Sequence, residues 1–212
     1  QVKELKGHKD WVDGVLMLSE TRAISWSKDM NLILWDMTTN RRLETLTGHA
    51  GYVRGACKLA TGELLSWSGG GTLRIWDIHD DDTVDVVAVL EGHTAGVRGA
   101  MELENEQLLS WSWDGSMRLW EWEKEEIIAE AVGHRGWIHA HSGWGDDRAM
   151  TWASDALAVL WDIQSGHPNM VYQGHDKSVD GVIAISDGKL LTYSGDQTLR
   201  VWSQDSGECL AE

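Results

Sequence analysis

His8, Ser25 and Asp29 are the side chains a hydrolase would use as base, nucleophile and orienting acid. The chain repeats them. It reads His93, Ser110 and Asp114, then His134, Thr151 and Asp155, then His175, Thr192 and Asp196, the hydroxyl always 17 and the carboxylate 21 residues after the His. His49 and Ser66 keep the same spacing, but Gly70 stands where the carboxylate belongs. One reaction needs one triad. A triad repeated along the whole chain serves folding, so no residue is assigned as catalytic and the protein reads as a non-enzyme. Other chemistries find little. His139 and His141, with Asp146 or Asp147, match known ligand spacings only weakly, so no metal is assigned. The glycines form no phosphate-cradling loop, and no cofactor is implied. Cys57 and Cys209 are too few for a disulfide framework, and Cys57 sits at an apolar strand position where it packs rather than reacts.

The elements that carry these residues follow from their period. Each His is preceded by Gly, at Gly7, Gly48, Gly92, Gly133 and Gly174, and followed 27 residues later by Trp35, Trp76, Trp120, Trp161 and Trp202. Both series advance by 41, 44, 41 and 41 residues, the mark of a repeat architecture. The third repeat shows the unit. Residues 97–103 alternate as a strand and 104–106 form a polar turn. Residues 107–112 form a second strand, and Asp114-Gly115 signals a tight turn. Residues 117–120 and 127–131 make the third and fourth strands. Four short antiparallel strands per period is a propeller blade. The expected fold is all-β, one domain over residues 1–212 built of five blades. It is either a closed five-blade ring or a segment of a larger propeller. Val2–Leu5 reads like the outer strand of a preceding blade, and the tail Glu208–Glu212 reads like the start of another. Both segments compete for one place if five blades close. Unpaired edge blades then offer a route to self-association.

These residues resemble the WD-repeat family over essentially the whole chain. The resemblance rests on Gly-His, Ser/Thr in the second strand, Asp in the turn, and Trp-Asp closing the third strand at Trp35-Asp36, Trp76-Asp77 and Trp161-Asp162. Glu121 and Ser203 replace that last Asp in the third and fifth repeats. The uniformity of the repeats is similar to highly repetitive bacterial, especially cyanobacterial, propellers. The resemblance implies that His, Ser/Thr, Asp and Trp form one buried hydrogen-bonded chain per blade. It also implies that three positions per blade face the partner-binding end: the third and fifth residues after His, and the residue before the turn Asp. They are Trp11, Asp13 and Lys28; Tyr52, Arg54 and Gly69; Gly96, Arg98 and Trp113; Trp137, His139 and Ser154; Ser178, Asp180 and Gly195. Trp, Tyr and Arg are the types enriched at binding hot spots. The implied function is a scaffold that docks a protein or peptide, the sensing or docking part of a larger bacterial protein. Exposed Trp beside Asp also suits a carbohydrate, but Trp11 with Asp13 occurs in one repeat alone. An enzyme would need a non-repeating cluster, for which Asp13, Asp180 and His139 are the best residues available.

Composition narrows the partners further. A net charge of −16 with no basic run argues against nucleic acid and anionic membrane. No apolar run reaches the roughly 18 residues of a membrane helix; no signal peptide and a cytoplasmic location are expected. The acidic stretches Asp80–Asp82 and Glu121–Glu126 read as solvated surface. One aromatic recurs after every second-strand hydroxyl: Trp26, Trp67, Trp111, Trp152 and Tyr193. Alternation turns it away from the hydroxyl and toward a neighbouring blade, as inter-blade filler rather than a ring of ligand sites.

Overall fold

The computed structural model describes residues 4–103, 106–143 and 147–212, with the backbone alone for 140–143. Its twenty strands form five four-stranded antiparallel sheets, one per repeat. The first is β1 (Val12–Met17), β2 (Arg22–Ser27), β3 (Leu32–Asp36) and β4 (Arg41–Leu46). The second is β5 (Val53–Lys58), β6 (Leu64–Ser68), β7 (Leu73–Ile78) and β8 (Val84–Leu90). The third is β9 (Val97–Glu102), β10 (Leu108–Ser112), β11 (Ser116–Glu121) and β12 (Glu126–Val132). The fourth is β13 (Ile138–Gly143), β14 (Arg148–Ala153), β15 (Leu157–Asp162) and β16 (Pro168–Gln173). The fifth is β17 (Val179–Ile185), β18 (Lys189–Ser194), β19 (Leu199–Ser203) and β20 (Cys209–Ala211). Strand order follows chain order in each sheet. The tail thus serves as the outer strand of the fifth sheet; of the N-terminal strand expected at Val2–Leu5, residues 1–3 lie outside the described residues. The chain forms two compact units, 1–102 with 122–126, and 103–121 with 127–212.

Burial comes from stacking one sheet on the next, since a single sheet cannot cover its own faces. In the first unit Ile24, Leu32 and Leu34 of one blade pack on Val53, Leu64 and Trp76 of the following blade. In the second unit Met150, Trp152, Ala158 and Leu160 pack on Val179, Leu190 and Trp202 in the same way. Each fully buried Val, Leu or Ile here contributes about 1.5–3 kcal/mol. Trp26 and Trp152 join these clusters from the side facing the following blade, as the filler reading expects. Room for the aromatic comes from a glycine across the strand pair: Gly14 opposite Trp26, Gly55 opposite Trp67, Gly181 opposite Tyr193. A Cβ on Gly55 would lie 2.2 Å from the Trp67 ring.

Both acidic stretches do more than solvate. Arg22, in the first blade, donates to the carbonyl oxygens of His79 and Asp80 at 3.1 and 2.6 Å and pairs with the Asp82 carboxylate at 2.5 Å. The loop between β7 and β8 thus forms a receptor for a neighbouring blade's cation. Residues Trp122–Lys124 form a 3₁₀ turn in the first unit, with Trp122 buried. Glu125 there accepts the Val89 amide at 3.1 Å, capping a polar group on the outer strand β8.

Candidate functional site

The His sets form the buried chains that the resemblance implies. In the first blade Asp29 accepts from His8 Nδ1 at 2.9 Å, His8 Nε2 meets Ser25 Oγ at 2.8 Å, and Trp35 Nε1 donates to the same hydroxyl at 2.8 Å. His134, Asp155, Thr151 and Trp161 repeat this at 3.0, 2.8 and 2.7 Å, and His175, Asp196, Thr192 and Trp202 at 2.8, 2.7 and 2.8 Å. The proton order is forced. The carboxylate can only accept, so the neutral imidazole carries its proton on Nδ1; Nε2 then accepts the hydroxyl proton, and the hydroxyl oxygen accepts from the indole N–H. In the third blade Trp120 donates to Ser110 at 2.8 Å, with His93 buried and Asp114 accepting from the Ser116 amide. Burial opposes ionisation of Asp29 and Asp155. The Lys9 amide and His8 outweigh it for Asp29, as His134 and the Arg135 amide do for Asp155, holding both carboxyls below the ordinary carboxylate value. In the first, fourth and fifth blades both ring nitrogens, the hydroxyl proton and the indole proton thus find partners within the blade.

The second blade departs from the pattern. Where the Asp is missing, Thr72 Oγ1 approaches His49 Nδ1 at 3.4 Å while Ser66 and Trp76 keep their places. Burial first, and the Arg74 charge second, push the His49 imidazole down to about 3. The loop has also closed over the vacant position. A Cβ on Gly70 would lie 2.9 Å from the Gly51 nitrogen and 3.0 Å from the Ala50 carbonyl carbon. The presence of His49, Ser66 and Trp76 suggests an open place for an Asp at 70; the backbone fills it instead.

The outward positions are assembled blade by blade. The residue before the turn Asp donates its amide to the carbonyl of the third residue after His: Lys28 to Trp11 at 2.9 Å, Gly69 to Tyr52 at 2.8 Å, Ser154 to Trp137 at 3.1 Å, Gly195 to Ser178 at 3.2 Å. The fifth residue after His is the extra residue of a β-bulge. Register skips Asp13, Arg54, His139 and Asp180 in β1, β5, β13 and β17. A bulge takes a side chain off the ladder and re-aims it. Sequence reading missed this device, although a Gly one residue on, or Ala140 in the fourth blade, marks it.

In the first unit Trp11 is 74% exposed, with Lys28 Nζ 4.5 Å above its ring, and Tyr52 is 50% exposed. Arg54 is half-buried; burial and then the Arg98 guanidinium push it below its ordinary value, with Asp13 pulling the other way. Two cations of an acidic chain thus sit close together. In the second unit Trp113 and Trp137 stack at 5.4 Å, and His139 Nε2 meets Ser178 Oγ at 3.0 Å. Trp137 is exposed, but Trp113 is half-buried against it rather than displayed, a correction to the expected exposed set that also holds for Arg54. Of the enzyme candidates, Asp13 belongs to the first unit, and His139 and Asp180 to the second. Of the metal candidates, Asp146 and the His141 side chain lie outside the described residues. Among the described residues no cluster of three His, Cys, Asp or Glu is placed to hold a metal. Cys57 is raised to about 11 by burial and then by Glu102, which keeps it a packing thiol.

Repeated four-stranded sheets, with a His–hydroxyl–Trp chain in the first, second, fourth and fifth, define a WD-type repeat protein. The family model "WD domain, G-beta repeat" matches residues 40–77, 84–121 and 166–203, more than half of the chain, which belongs to the WD40-repeat family of β-propellers. A crystal structure of the computationally designed Ika8 protein is similar in fold, with a TM-score of 0.76 at 22% identity. That match covers 97% of this chain and 62% of the designed one, so five blades here correspond to under two thirds of that protein. Comparison with curated proteins finds no match. WD40 repeats generally serve as protein-interaction scaffolds.

Proposed function

We propose that this chain is a non-catalytic scaffold whose outward bulge and turn residues dock a protein or peptide carrying both apolar and acidic side chains. The observation that carries this reading is the first unit's cluster. Trp11 and Tyr52 offer exposed ring area, and in the same unit Arg54 lies close enough to Arg98 to feel its charge, which brings two guanidinium groups together. Large rings with guanidinium groups fill hot-spot pockets and pair with carboxylates. The carbohydrate reading gains nothing here, because Lys28 already sits over one face of the Trp11 ring. Selecting displayed random peptides against the chain should enrich sequences with carboxylates beside aromatic or aliphatic residues. Trp11→Ala or Arg98→Ala should then weaken the selected peptides by about 1–3 kcal/mol, or roughly 5- to 150-fold in Kd. Unchanged Kd in the double variant would place docking elsewhere.

A further inference from the structure

The first and last blades carry matching uncovered faces, and we propose that the first blade of one copy seats on the last blade of a second copy, head to tail. The evidence is positional. The fourth residue after each His opens the strand that packs on the preceding blade. It is Val53, Val97, Ile138 and Val179 in the later blades, each 0% exposed, and Val12 in the first, 55% exposed. The residue three positions after the turn Asp, or after Gly70 in the second blade, lies at the start of the third strand and faces the following blade. It is Leu32, Leu73, Met117 and Ala158 at 0, 0, 1 and 0%, and Leu199 in the last blade at 57%. The filler aromatic follows the same course, from Trp152 at 9% to Tyr193 at 42%. Around Val12, Val15 and Met17 of β1 and Leu5 ahead of it are all exposed along an apolar groove.

A second copy is the occupant because the chain itself carries both halves of the blade-to-blade interface. Within the first unit β5 packs on β1 and β2; within the second, β17 packs on β14 and β15. The same positions that make those interfaces are apolar or aromatic on Val12 and on Leu199 with Tyr193, the Tyr standing where the other blades carry Trp. A contact of this kind is heterologous: it uses a different patch on each partner, so it closes into a ring or runs on. A two-fold dimer would instead set like face on like face.

Asp substitution separates these geometries without entering a core, since both targets are exposed. By light scattering at tens of micromolar the wild-type chain should weigh at least twice its 23.7 kDa. Val12→Asp and Leu199→Asp should each fall to the single-chain mass, with circular dichroism unchanged. Each variant keeps one sound face, so an equimolar mixture should regain a 1:1 dimer of twice the single-chain mass. A wild-type monomer overturns the proposal, as does an oligomer that Leu199→Asp leaves intact, or a mixture that stays monomeric.

Discussion

At the residue scale the blades differ in how they hold their His, and acid should reveal it. The His49 value of about 3 lies below the ordinary 6.5, so between those values the unfolded chain binds a proton that the fold refuses. Stability from this site is therefore whole above about pH 6.5 and is lost as pH falls toward about 3. Asp29 and Asp155 lie below the ordinary 3.8, so their contribution survives until pH drops under that value. His79 acts in the opposite sense, raised by its hydrogen bond to Asp85 and then by the Asp77 charge, but it is exposed and salt-screened. Urea midpoints followed from pH 6.5 down to 4 in about 0.5 M salt should fall for the wild type and flatten in His49→Gln. Removing an acceptor is a larger injury. Asp155→Ala strands His134 and the Arg135 amide and should cost about 1–3 kcal/mol; an unshifted midpoint in denaturant would refute it. Gly70→Asp is a sharper case, because the sequence shows three waiting partners and cannot show a backbone that has closed over the gap.

Among elements, the spacing of Gly-His and Trp made the strands and their order legible, since alternation and turn residues act locally. What it could not show is work done between neighbours. The Asp80–Asp82 loop looks solvated by composition, yet it receives Arg22, a contact spanning nearly sixty positions. Likewise Glu121–Glu126 looks like an acidic surface, and its Trp122 is buried. The aromatic after each hydroxyl was readable, but its glycine partner emerges only from register. Gly55→Ala would drive a methyl into the Trp67 ring and should lower stability by about 1–3 kcal/mol, the usual cost of overpacking. Calorimetry of this variant against Gly62→Ala, where a Cβ meets nothing within 4 Å but φ is positive, would separate crowding from backbone strain.

For the whole molecule, a charge of −16 sets copies against one another even where apolar faces match. Salt should thus help assembly: mass by light scattering should rise as ionic strength goes from about 0.05 to about 0.3 M, while screening shortens the reach of repulsion. A mass independent of salt would mean that charge plays no part. The family and the all-β class were legible at this scale because the period survives any reading of detail. The uncovered faces were not, because Val12 and Val53 are the same residue type in the same place, and only a neighbour distinguishes them.

The bulges on β1, β5, β13 and β17 have a consequence for how such an array changes. Asp13, Arg54, His139 and Asp180 occupy one address, yet they carry an acid, a strong cation, an imidazole and an acid. The address stands outside the ladder, so its occupant does not answer to the alternation that builds the sheet, and it is left to meet the neighbouring blade by polar contact, as His139 meets Ser178. Each repeat is in this respect a type block with a blank upper surface. Letters can be recut one block at a time, and the press that holds the blocks never has to be reset.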